Sequence, residues 1–176
     1  MSRQIKEECG IFGIYDKTKQ GNIANTVYYG LFALQHRGQE AAGIAVNNNG
    51  NISLVKNLGL VSEVFNEKHL SSLQGSFAIG HVRYSAGQFK GVEDAQPINV
   101  NYAKGTITVA HNGNITNALA LRDALEQKGA IFHSNNDSEI ICYLIARASL
   151  KFSTIEEAIQ NVIPMLKGSF SLLIMT

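Results

Sequence analysis

The pair Cys9-Gly10 is the first place in the chain where a residue type offers reactive chemistry. A thiol attacks a carbonyl carbon as thiolate, and an unperturbed pKa of about 8.5 leaves only a small ionised fraction at pH 7. The nucleophile therefore needs a base, and no histidine is close to Cys9 in sequence. A second route is an α-amino group on the nucleophile's own residue, whose pKa of about 7.7–8.0 suits it to take the thiol proton. That route requires removal of residues 1–8, a leader ending in Glu7-Glu8. By residue type alone a buried structural cysteine outweighs the catalytic one, because cysteine is among the most buried side chains.

His111-Asn112-Gly113-Asn114 is the second concentration. An asparagine NH₂ beside an unhindered glycine N–H supplies the donors of an oxyanion hole, which holds the charge that develops in acyl transfer. Asn-Gly is also a strong turn signal, and on this segment alone a plain turn is the weightier reading. Arg83 and Asp137 offer opposite charges suited to the carboxylate and ammonium of an amino acid. Arg37, in QHRG, has the same potential; taken singly, each of the three is more often a surface charge or a helix cap. A thiol hydrolase using His81 or His111 as base remains an alternative enzyme. Neither Cys9 nor Cys142 lies in a CxxC or Cys/His metal spacing, and His36, His69, His81, His111 and His133 are scattered singly, so no zinc site is expected.

These groups must be positioned by elements whose pattern is partly legible. Gly10 to Tyr15 is a short β-favouring run. Asn22 to Gln35 places Ile23, Val27, Leu31 and Leu34 on one helical face, with Asn22 as N-cap and Gly38 as a positive-φ stop. Ala42 to Val46 and Ile52 to Val55 form a hairpin about NNNGN. Leu60 to Leu73 holds one or two short helical pieces, and Phe77 to Tyr84 is a strand in which Gly80 marks a bulge or a close backbone approach. Ser85 to Pro97 reads as a functional or surface loop. Thr106 to Ala110 is a strand running into a sharp turn at HNGN. Helices follow over Ile115 to Lys128, stopped by Gly129, then Asp137 to Leu150 and Thr154 to Leu166, the last opened by the capping pair Thr154 and Glu157 and weakened by Pro164. Ser169 to Met175 is a final strand. Strands separated by helices favour layered α/β or α+β packing.

Composition narrows the classes. At 176 residues the chain suits one domain with its own core. Fifteen basic and 14 acidic side chains nearly cancel, which gives no field for nucleic acid or an acidic membrane. No apolar run approaches the ~20 residues of a membrane span, and residues 1–8 are too short and too charged for a signal peptide, so the expected location is cytoplasmic.

Taken together and in order, CGIFGI from Cys9, LQHRGQEAAGI from Leu34, GHVRY from Gly80, HNGNITN from His111 and Asp137-Ser-Glu139 closely resemble the glutaminase domain of class II glutamine amidotransferases. Those domains belong to the N-terminal nucleophile hydrolases. LQHRGQE and HNGNITN are the wording of the branch that opens purine biosynthesis and carries a C-terminal phosphoribosyltransferase domain, a glycosyltransferase.

The resemblance runs from Cys9 to the end. It implies an α+β fold, an αββα sandwich of two antiparallel sheets between helical layers, with residues 1–8 a leader to be removed and 9–176 a glutaminase domain truncated at its C-terminal end. It implies that Cys9, as the N-terminal residue, attacks the glutamine side-chain amide with its own α-amine as base and then acid. Asn112 and Gly113 hold the oxyanion, Arg83 the substrate α-carboxylate and Asp137 its α-ammonium, and Arg37 helps order the site. Ammonia released there passes to the phosphoribosyltransferase domain, where it displaces pyrophosphate from phosphoribosyl pyrophosphate. No cofactor is implied in this segment, iron–sulfur ligands lying beyond it, and the full-length enzyme is expected to be a homo-oligomer. The family often has a threonine two residues after the tyrosine of the Arg-Tyr pair, whereas this chain reads Arg83-Tyr84-Ser85-Ala86, so Ser85 must substitute if that hydroxyl holds glutamine. A non-catalytic domain, unprocessed or truncated, is the remaining alternative.

Overall fold

Alternation and turn chemistry place most of the strands. A computed structural model of the chain describes residues 9–18, 22–84 and 91–176; the leader 1–8 and Ser85 lie outside them. Strand β1 is Gly10–Tyr15. β2, Ala41–Asn48, and β3, Asn51–Leu58, form the expected hairpin, longer at both ends than its apolar core suggests. Asn49 (φ 52°) and Gly50 (φ 91°) both take positive φ, the requirement of a two-residue turn that matches strand twist. β4 is Phe77–Arg83 and lies between β1 and β2, giving an antiparallel four-stranded sheet in the order β1-β4-β2-β3. β5 (Ile98–Tyr102), β6 (Gly105–Ile115) and β7 (Gly168–Met175) form a second antiparallel sheet with β6 in the centre.

The helices cover the outer faces. α1, Ile23–Ala33, is capped by Asn22, whose side chain accepts from the Asn25 N–H at 3.3 Å. It buries Ile23, Val27 and Leu31 with the short helices α2 (Val61–Val64) and α3 (Glu67–Ser72) on the first sheet. α4 (Ala118–Glu126), α5 (Asp137–Ser149) and α6 (Ile155–Val162) share a core with the second sheet through Leu125, Ile141, Ile145 and Val162. α6 begins with the Thr154/Glu157 capping box and passes into a 3₁₀ turn, Ile163–Met165, at Pro164. Ala45, Ile79, Ala110 and Met175 form a third, smaller cluster that joins the two sheets face to face. The order helix, sheet, sheet, helix is the αββα sandwich, and both sheets are antiparallel. Among the described residues no helix is long and apolar enough to cross a membrane.

Three expectations give way, and one alternative is settled. HNGN is not a turn: β6 continues through it to Ile115, paired residue by residue with β7, because β7 supplies a partner strand that outweighs the local turn preference. Gly38 is extended (φ −154°, ψ 121°) rather than left-handed. It is needed for room, since a Cβ there would lie 2.6 Å from the Arg83 carbonyl carbon. Gly80 carries no bulge and is a close approach, with Val27 Cγ1 2.6 Å from where a Cβ would be. Within the supposed surface loop, Asp94 and Gln96 are buried and a 3₁₀ turn forms at Val92–Asp94. β5, which that reading left out, follows directly.

Candidate active site

The candidate residues stand at the start of β1, at the end of β4, within β6 and at the start of α5. Cys9 immediately precedes β1, and Gly10 is in register with Val82, which sets Cys9 beside the end of β4. Its Sγ lies 3.5 Å from the Tyr84 carbonyl oxygen. Arg37, in the 3₁₀ turn Gln35–Arg37, donates from Nε to the Cys9 carbonyl at 3.3 Å. Arg83 is the last residue of β4 and donates from Nη1 to the Asp94 carbonyl at 3.4 Å. Burial holds the Cys9 thiol above its ordinary pKa, against the opposing effects of the Tyr84 contact and the Arg83 charge. In this environment the group is a thiol, so attack needs a base.

The second sheet contributes the other wall. Asn112 and Gly113 sit within β6 opposite Ser171 and Phe170. Gly113 has φ 134°, and a Cβ there would be 2.2 Å from the Ser169 carbonyl oxygen, so conformation and space both demand glycine. Along one edge of β6 the His111 N–H donates to Gln96 Oε1 at 2.7 Å, and the Ile115 backbone is among the groups that favour the ionised Asp137 carboxylate. Strand alternation puts the Gly113 N–H on that same edge, between the two. Asn112 Oδ1 is buried with no hydrogen-bond partner, an orphaned polar atom of the kind functional sites retain.

Asp137 opens α5 behind the N-cap Asn136, whose Nδ2 donates to the Asp94 carbonyl at 2.8 Å. Asp94 thus ties Arg83 and the start of α5 together. Burial raises the Asp137 pKa, while Ile115, Arg122 and Arg83 oppose the rise. The Arg83 charge is therefore felt by both Cys9 and Asp137. Hydrogen bonds thus link Cys9 with Arg37, and Arg83 through Asp94 with the start of α5 at Asp137; Asn112 and Gly113 lie within β6.

The histidines stand apart from proton transfer. His81 is fully buried on β4, its Nε2 3.2 Å from the His111 carbonyl, which makes Nε2 the donor. Burial pulls its pKa to about 3 and that of His111 to about 4. Both are neutral at pH 7 and too weakly basic to take a thiol proton. Among the described residues no cluster of His, Cys, Asp and Glu could hold a metal ion. A cavity of about 250 Å³ among α4, α5 and α6, lined by Leu121, Leu144 and Lys151, holds none of the six. Sequence reasoning passed over Asp94 and Gln96; a lone Gln-Pro in a charged, glycine-containing stretch gives no sign of burial.

A family profile described as a glutamine amidotransferase domain matches residues 81–176. The chain belongs to the glutamine amidotransferase family. Its relatives include the amidophosphoribosyltransferases of Methanocaldococcus jannaschii, 52% identical over 95% of this chain and 35% of the relative, and of Bacillus subtilis, 42% identical over 98% of this chain and 35% of the relative. A solved structure described as the allosteric regulatory enzyme of purine biosynthesis superposes with a TM-score of 0.86 at 40% identity, over 94% of this chain and 35% of that one. The B. subtilis glutamine phosphoribosylpyrophosphate amidotransferase, solved with ADP and GMP, gives 0.81 at 39% identity, over 96% of this chain and 35% of that one. The chain spans about a third of the length of these relatives.

Proposed function

We propose that this chain hydrolyses the side-chain amide of glutamine to glutamate and ammonia, as the ammonia-supplying unit of an amidophosphoribosyltransferase. The observation that carries this reading is geometric: Cys9 Sγ lies 3.5 Å from the carbonyl of Tyr84, the neighbour of Arg83, and the Asp94 carbonyl accepts from both Arg83 and Asn136, the residue before Asp137. A nucleophile and two opposite charges match the three parts of glutamine: a reacting amide at one end, a carboxylate and an ammonium at the other.

Once residues 1–8 are removed, the Cys9 α-amine takes the thiol proton and Sγ attacks the amide carbon. The resulting oxyanion accepts from Asn112 Nδ2 and the Gly113 N–H, fixed donors acting where charge develops. The protonated amine then gives its proton to the departing nitrogen. Ammonia leaves, and water attacks the thioester to release glutamate, with the same amine as base. Arg83 holds the substrate carboxylate and Asp137 its ammonium. Arg37, bonded to the Cys9 carbonyl, fixes the chain on the far side of the nucleophile from the thiol. This half-reaction uses no cofactor. The ammonia is consumed by a phosphoribosyltransferase domain, in a cytoplasmic homo-oligomer.

With Glu8 still attached, the Cys9 nitrogen is an amide and cannot take a proton. Protein beginning at Cys9 should react with an electrophilic glutamine analogue much faster than protein retaining residues 1–8, with intact mass recorded before and after. The rate should climb from about pH 7 to 8 as the amine loses its proton. Equal rates with the leader intact would refute the amine mechanism.

A further inference from the structure

The geometry points to Gln96 as a positioning residue for the oxyanion-binding strand, its side-chain amide standing in for a neighbouring strand beside His111. The inference rests on the glutaminase reading and deepens it. The β5–β6 ladder begins at Ile98 opposite Val109. The pairing stops there, two residues short of His111 on β6. At His111, beyond the end of the ladder, the Gln96 side chain makes the bonds on this edge: Oε1 accepts from the His111 N–H at 2.7 Å, and Nε2 donates to the His111 carbonyl at 3.2 Å. One primary amide thus makes both bonds that a strand's peptide groups would make.

Gln96 is itself held from several directions. Ser138, fully buried in the first turn of α5, donates from Oγ to the same Oε1 at 2.9 Å. His81 shares the His111 carbonyl. On β2, Gly43 leaves room for the Gln96 main chain, since a Cβ there would lie 2.2 Å from the Gln96 carbonyl oxygen. Gly43 and His81 are direct neighbours across the first sheet. A row of that sheet and the first turn of α5 therefore converge on one amide, and the residue it grips directly precedes Asn112. An oxyanion donor acts only when placed within about 0.5 Å of the productive position. Where β5 stops, β6 has no strand to fix it on that edge; Gln96 supplies the constraint.

The test uses the whole processed protein with Cys9 at its N-terminus, assayed as glutamate release per Cys9 titrated by an electrophilic glutamine analogue. Gln96→Met, similar in size and lacking both bonds, should lower kcat per titrated site about tenfold and leave the KM for glutamine within about twofold, because the oxyanion exists only after attack. In an Asn112→Ala background the same substitution should cost less than about twofold more, as expected when one residue acts through the other. Two results overturn the proposal: a loss confined to the fraction of sites titrated, or one that multiplies fully with that of Asn112→Ala. Where Gln96→Met yields no folded protein, Ser138→Ala removes one bond to Oε1 and should lower kcat about two- to threefold at constant KM; an unchanged kcat overturns the proposal. Full activity in Cys9→Ser would instead overturn the glutaminase reading itself.

Discussion

The two sheets serve the site in different ways. The first delivers its groups from places where strands stop: Cys9 before β1, Arg83 at the end of β4 and Arg37 in the turn ahead of β2. The second delivers Asn112 and Gly113 from inside β6, where pairing with β7 runs unbroken on both sides of them. Under the proposed glutaminase reading, the contrast matches the demands of the chemistry. A guanidinium on a long side chain can follow a substrate carboxylate through small shifts, so a strand end is good enough. An oxyanion donor gives most of its benefit only at a fixed point, and a backbone ladder fixes it.

Removing the nucleophile tests the first sheet most severely. Cys9→Ser should abolish glutamate release while leaving the circular dichroism spectrum unchanged, since the hydroxyl's pKa lies far above that of the amine. Asn112→Ala tests the second sheet: kcat should fall on the order of 10²- to 10³-fold with little change in KM, as for loss of one oxyanion donor. Normal kcat in that variant would show that β6 carries no oxyanion hole. Arg83→Lys and Asp137→Asn should show the opposite pattern, with the KM for glutamine up about tenfold and kcat less affected, because their charges meet the substrate before and during reaction alike.

Smaller effects sharpen the contrast. His81 has a folded pKa of about 3 against an ordinary 6.5, so between those values the unfolded chain binds the extra proton. Its contribution to stability is complete above pH 6.5 and declines as pH falls below it. Unfolding free energies from urea titrations at pH 7 and pH 5 should differ by roughly 1–2 kcal/mol on account of His81, and His81→Gln should reduce the total difference by that share, leaving the part due to His111. The smallest effect belongs to Cys142. It is fully buried in α5, its Sγ 3.9 Å from the Ile98 carbonyl, with its pKa pushed up by burial, so Cys142→Ser should leave turnover nearly unchanged. Comparable losses from Cys9→Ser and Cys142→Ser would remove the distinction between a reactive and a structural thiol.

How much of this was legible depends on how far apart the interacting residues are. GIFGIY, the Asn-Gly turn at Asn49 and the Thr154/Glu157 box are local signals, and each element formed where its signal stood. Ile98, Val100 and Tyr102 alternate with Asn99 and Asn101, a period-two pattern that marks β5 and was overlooked beside the charged stretch before it. HNGN misled for the reverse reason, since its turn chemistry is real and a distant strand overrules it. The six site residues were open to view as types, while their roles came from the resemblance. The supports behind them were hidden: Gln96 meets Ser138, and Asp94 meets Asn136, across 42 residues of chain. No local window contains both partners.

Asp137 carries a consequence for how such a site persists. Its carboxylate is half-buried and disfavoured in its ionised form, so in the empty protein it is a net liability to folding at neutral pH. A neutral side chain there would make a more robust molecule and a poorer host for an ammonium group. Under the proposed glutaminase reading, capture of the substrate ammonium is what such a costly charge would be kept for. A bound ligand's ammonium relieves the liability, so the occupied protein should resist heat better than the empty one by a margin that depends on residue 137.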